Sequence, residues 1–155
     1  MTDDDQIAVT DELLFVMREA ATGALWAGEK FISPRRVLIA LLQDPAFREP
    51  FKGIIDVDAL SVVIPNDDEV STIEDPPRER TLAFKETSGS NSVWLDSTAY
   101  AVFVEGARRA KKRYVPKDLL LGFVSEWRRA PHVLHDIKID GTKFAQAAFA
   151  LPEGV

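Results

Sequence analysis

Apolar residues recur along this chain at helical spacing, in two stretches that resemble each other. In the first, Leu13, Val16, Met17, Ala20, Ala24 and Leu25 fall at the three- and four-residue intervals of an amphipathic α-helix. Thr10 is placed to cap it, and Asp11 and Glu12 favour the positive end of its dipole. In the second, Tyr100, Phe103, Val104, Ala107 and Ala110 form the same stripe behind Asp96 or Ser97. A second helix follows each. One starts after Ser33 with Pro34 in its first turn and carries Val37, Leu38, Leu41 and Leu42. The other starts near Pro116 and carries Leu119, Leu120, Phe123, Val124 and Trp127. Shorter helices are predicted around 46–54 and 130–136, and closing helices from Asp58 and Asp140.

The stretches are copies. Ala24, Phe31 and Ile32 match Ala107, Tyr114 and Val115 at an offset of 83. Leu38 to Leu41 match Leu120 to Phe123 at 82, as do Ile55, Val57 and Asp58 with Ile137, Ile139 and Asp140. Order and residue class persist over about 50 positions, which marks an internal repeat. The copies span 8–64 and 95–150. The intervening 65–94, rich in Pro, acidic residues, Ser and Gly, reads as an exposed linker. Within it, Thr81 to Phe84 and Ser92 to Leu95 are placed to pair as short strands around Ser88-Gly89-Ser90.

These repeats resemble the Clp N-terminal domain family, whose repeat comes in tandem. The residues that carry the resemblance are Ala20, Ala24, Phe31-Ile32, Val37 to Leu42 and Ile55 to Asp58. They stand again as Ala107, Tyr114-Val115, Leu119 to Phe123 and Ile137 to Asp140. The resemblance implies an all-α fold: a pseudo-twofold bundle of about eight helices built from two four-helix repeats. It implies a module that binds protein clients or adaptors and hands them to a Clp-type ATPase or protease. No Walker A sequence is present, so the chain is similar to free-standing members without the motor. The alternative is a regulatory or structural protein of the same fold with no Clp partner.

The resemblance also nominates a surface. Arg35, Arg36, Lys117 and Asp118 occupy first turns of matching helices, where they are either solvated side chains or the rim of the recognition surface. Cations at a helix N-terminus are unfavourable by roughly 0.3–1 kcal/mol, so some local feature must favour them. Arg35 and Lys117 reverse the charge of a glutamate that in some relatives helps hold phosphorylated arginine, so that recognition is not carried over. Val9 and Leu95 precede the first helix of each copy and either line the family's apolar groove or act as hydrophobic staples. Trp26 and Trp127 are expected to pack in the core or between lobes, while Trp94, in the linker, is placed to cover a groove or meet a partner.

Composition narrows the chemistry. The 155 residues contain no cysteine, which excludes disulfides, thiolate metal sites and a thiol nucleophile. No apolar run approaches the roughly 20 residues that cross a bilayer, and the opening MTDDDQ is acidic where a signal peptide is basic. A cytoplasmic protein with no membrane partner is the expectation. His132 and His135 share a helical face, but spacing suggests no third ligand, so neither a metal nor a cofactor is expected. Gly23 to Lys30 imitates a phosphate loop, but Glu29 stands where the lysine belongs. No nucleophile–base–acid set is visible, and no enzyme activity is expected. Net charge is −6, split as −9 over residues 1–80 and +3 over 81–155. The run Arg108 to Arg113 suits a helix C-terminus as well as a nucleic acid, and the overall acidity argues against nucleic acid.

Overall fold

The computed structural model describes residues 8–55, 82–87, 89, 91–130 and 139–152. The first copy opens with strand β1 (Ala8–Val9) and helix α1 (Asp11–Trp26), then strand β2 (Phe31–Ile32) and helix α2 (Pro34–Leu41). A one-turn helix α3 (Pro45–Arg48) runs into a 3-10 turn (Glu49–Phe51). Strands β3 (Ala83–Lys85) and β4 (Ser92–Leu95) lead to the second copy: α4 (Ser97–Arg109), β5 (Arg113–Tyr114), α5 (Pro116–Arg129) and α6 (Gly141–Ala150).

Side-chain caps start the helices where the sequence puts them. Leu13 N–H donates to Thr10 Oγ1 (3.3 Å), and Ala99 N–H to Asp96 Oδ1 (2.7 Å). Arg36 N–H donates to Ser33 Oγ (3.3 Å), and Thr142 N–H to Asp140 Oδ1 (3.0 Å). Each such cap stabilises its helix by about 1 kcal/mol. Burial makes the Asp96 cap unusual. It pushes the carboxyl up to about 6, against the opposing pull of the Ala99 and Thr98 N–H groups, and the charge of Glu29 adds to the rise.

The chain is mostly helical, but the all-α expectation needs correcting. Two short sheets tie the copies together. β1 pairs with β5 in parallel, and β2 pairs in parallel with β4, which also carries β3 antiparallel on its other edge. The exchange is reciprocal: the strand before the first helix of each copy pairs with the strand after the first helix of the other. Each cap residue joins it, Thr10 N–H donating to Tyr114 O (3.2 Å) and Asp96 N–H to Ile32 O (3.0 Å). Among the described residues there are six α-helices. The helix expected from Asp58 lies outside those residues, as does nearly all of the one around 130–136.

The segment read as an exposed linker is partly structural. β3 and β4 pair as the expected hairpin, β3 starting two residues later than expected, and Val93 within the segment and Leu95 just past it are buried. The hairpin is fastened to α1: Arg18 Nη2 donates to Glu86 O (3.0 Å) and Thr87 N–H donates to Thr22 Oγ1 (2.9 Å).

One apolar core serves both copies. Leu13, Met17, Leu38, Leu41, Leu95, Leu120, Phe123 and Phe144 are fully buried in it. Phe144 of α6 touches both Phe51 of the first copy and Phe123 of α5, with ring centroids 5.1 and 6.1 Å apart. Tyr114 stacks on Phe103 (4.9 Å) and donates its hydroxyl to Phe103 O (2.6 Å). Burial, helped by the Asp118 charge, raises the Tyr114 hydroxyl far above its ordinary range. It stays a donor at every physiological pH.

Candidate functional site

The caps fix how the copies align. Thr10 and Asp96 are 86 positions apart, whereas Ser33 and Val115, which precede α2 and α5, are 82 apart. The offset of 83 read across Ala24, Phe31 and Ile32 is therefore a compromise between two registers. Four residues are lost between the first and second helices. Three of them come from helix length, since α1 has 16 residues and α4 has 13. Ile32 now corresponds to Tyr114 and Arg35 to Lys117, both pairs being buried.

That alignment changes the account of the charged candidates. Arg35 and Lys117 are not exposed rim residues; their exposures are 6% and 8%. Arg35 Nη2 donates to Glu29 Oε2 (3.1 Å), and Lys117 Nζ donates to Leu151 O (2.6 Å). Arg36 Nε donates to Glu29 Oε1 (2.8 Å), so one carboxylate holds both arginines at the start of α2. This acidic partner is the feature that favours cations at that helix end. Asp118 turns inward along its own chain, its Oδ2 accepting from Val115 N–H (3.1 Å). Leu95 is fully buried and cannot line an open groove, while Val9 is 42% exposed. The structure does not bring these six residues into one surface.

It does open a groove beside Arg36. Ala20 and Gly23 of α1 and Ile39 and Ala40 of α2 line it, with Glu19, Thr22, Trp26, Arg36 and Gln43 around them. Its volume is about 300 Å³. The groove follows from which small residues stand where the paired helices approach. In the second copy Gly106 and Gly122 lie backbone to backbone, leaving no space for a Cβ on either. Their counterparts in the first copy are Ala20 and Ala40, and both line the groove. Two methyl groups hold apart in one copy what two glycines let meet in the other.

Trp26 stands at this groove and is 84% exposed, contrary to the packing role expected of it. It lies in the turn by which α1 outruns α4, beyond the part of the stripe that packs. Gly28, at φ 73°, then turns the chain back toward β2. Trp94 and Trp127 are half-buried. Phe15, 59% exposed, precedes Trp26 by eleven residues, and Phe15, Glu19, Thr22 and Trp26 share one side of α1. An exposed tryptophan on a long first helix was legible in the sequence only through the unequal copy lengths.

No family model matches the sequence, and no curated protein matches it. Among solved structures, the chain is similar to the Hsp104 N-terminal domain from Candida albicans. The TM-score is 0.57, with 13% identity over 96% of this chain and 93% of that one. The two share a fold. At that identity individual residues do not transfer, so the groove must be read on its own chemistry.

Among the described residues, no three His, Asp or Glu side chains gather as metal ligands, and no helix is long and apolar enough to cross a membrane. His132 and His135 lie outside the described residues. Gly23, the start of the apparent phosphate loop, is inside α1, and Glu29 is engaged by Arg35 and Arg36.

Proposed function

We propose that the protein is a non-catalytic interaction module that takes an exposed apolar segment of an unfolded polypeptide into the α1–α2 groove. One observation carries the reading: Trp26, 84% exposed, stands at an open groove floored by alanine, glycine and isoleucine. Tryptophan is the side chain most enriched where binding energy concentrates, and its large apolar area is wasted in water. From Phe15 to Trp26 the helix rises about 16 Å, the span of about five extended residues. Arg36 and Glu19 give the groove polar edges that orient such a segment without filling it.

The resemblance of the repeats to the Clp N-terminal family, together with the fold shared with an Hsp104 N-terminal domain, supports a place beside a Clp-type unfoldase or its protease. In this reading the chain selects or delivers polypeptides and performs no reaction itself.

Titration of a labelled, permanently unfolded protein, read by fluorescence anisotropy, tests the groove. Trp26→Ala is expected to weaken binding by about tenfold or more, equivalent to roughly 1.4 kcal/mol. Alanine is a better helix former than tryptophan, so the melting temperature should not fall. Equal affinity of the variant and the parent would remove the groove from the site. For the Clp link, recovery of a purified Clp-type unfoldase on the immobilised protein is expected, and its failure to bind would leave the regulatory alternative.

A further inference from the structure

The second copy carries a surface of opposite character. Between residues 105 and 129, Arg108, Arg109, Lys111, Lys112, Arg113, Arg128 and Arg129 are all exposed. The three carboxylates of the same stretch are not. Glu105 is shared between Arg108 Nη1 (3.3 Å) and Arg129 Nη1 (3.1 Å), with 14% of its side chain exposed. Asp118 accepts from Val115, and Glu126 is 8% exposed. What this stretch presents to solvent is predominantly positive, on a chain whose net charge is −6.

An aromatic ring sits among these cations. The guanidinium carbons of Arg109 and Arg128, from two different helices, lie 5.7 and 5.9 Å from the centroid of Phe149 on α6. Both contacts are within cation–π range, which fixes two long side chains that would otherwise be mobile. Arg109 is held further by its Nε, which donates to Ser125 Oγ (2.8 Å) and leaves its two terminal nitrogens for a ligand. Phe149 remains 46% exposed.

We propose that this face binds an acidic segment of a partner protein, its carboxylates on Arg109 and Arg128 and an apolar side chain against Phe149. Guanidinium forks match carboxylates bidentately, and prior ordering lowers the entropic cost of engaging them. Charge complementarity selects an acidic partner. A polypeptide whose carboxylates alternate with apolar side chains fits better than a nucleic acid, because the net charge of −6 opposes a ligand with one charge on every unit more strongly than one with sparser charge. This face is distinct from the Trp26 groove, so each reading can fail without the other.

Anisotropy with a short labelled peptide of alternating Glu and Leu tests it on the full chain. Binding is expected, weakening as salt rises and falling by about tenfold or more in the double variant Arg109→Glu, Arg128→Glu. Arg109→Gln with Arg128→Gln guards against misfolding by charge reversal and should lose affinity as well, at an unchanged melting temperature. Phe149→Ala should weaken the Glu–Leu peptide severalfold and a Glu–Ser peptide less, since both lose the ordering of the two arginines and only the first also loses an apolar contact, and Trp26→Ala should change neither. Equal binding of a Gln–Leu peptide, indifference to the arginine variants, or tighter binding of a single-stranded oligonucleotide would overturn the proposal.

Discussion

Gly106 and Gly122 meet where α4 crosses α5, and a Cβ on Gly122 would stand 2.7 Å from the Gly106 backbone nitrogen. Backbone cannot yield as a flexible side chain can. Gly122→Ala should therefore destabilise the fold by about 1–3 kcal/mol, despite the better helix propensity of alanine. Thermal unfolding followed by circular dichroism reads the change. An unchanged or raised melting temperature would mean that the helices separate at little cost, and would undercut the explanation for the groove in the first copy.

Glu29 holds Arg35 and Arg36 with only 11% of its side chain exposed, and Arg35 has 7%. Surface pairs contribute little, but this one lies out of water. Glu29→Gln keeps the shape and removes the charge, and should cost about 1.5–3 kcal/mol in urea unfolding. Because Arg36 borders the groove, the same variant should also alter client affinity. A loss below about 0.5 kcal/mol would show that the pair behaves as an exposed one.

The raised carboxyl of Asp96 makes stability depend on pH. Its value in the fold is about 6, against an ordinary 3.8. Between those values the folded chain holds the proton that the unfolded chain has released. The Asp96 contribution to stability is therefore fully present below 3.8 and is lost as pH rises through about 6. Measured against Asp96→Asn, which can still cap α4, the parent should lose relative stability across that window. A stability difference that stays flat, or moves the other way, contradicts the burial argument.

Much of this architecture is written locally. Thr10, Ser33, Asp96 and Asp140 announce their helices through side-chain chemistry that acts within three residues, and Pro34 and Pro116 mark first turns. The β3–β4 hairpin is legible because two apolar runs flank the sequence Ser88-Gly89-Ser90. Strands of two residues, such as β1, β2 and β5, are too short for an alternating pattern, and they appear only when the copies pair. The burial of Lys117 was equally hidden, because its acceptor, Leu151 O, is 34 residues away. The exposure of Trp26 is hidden for a related reason. An apolar residue near a helix end is indistinguishable in sequence from a core residue until the length of the partner helix is known.

The reciprocal strand exchange bears on what either half would do if separated from the other. β1 finds its ladder on β5, and β2 on β4, so neither copy holds both members of either pair. A polypeptide cut down to one copy would expose two bare edges, and the nearest complement to those edges is another molecule of itself. Covalent linkage of the two copies therefore supplies from within one molecule the partner that each half would otherwise seek in another.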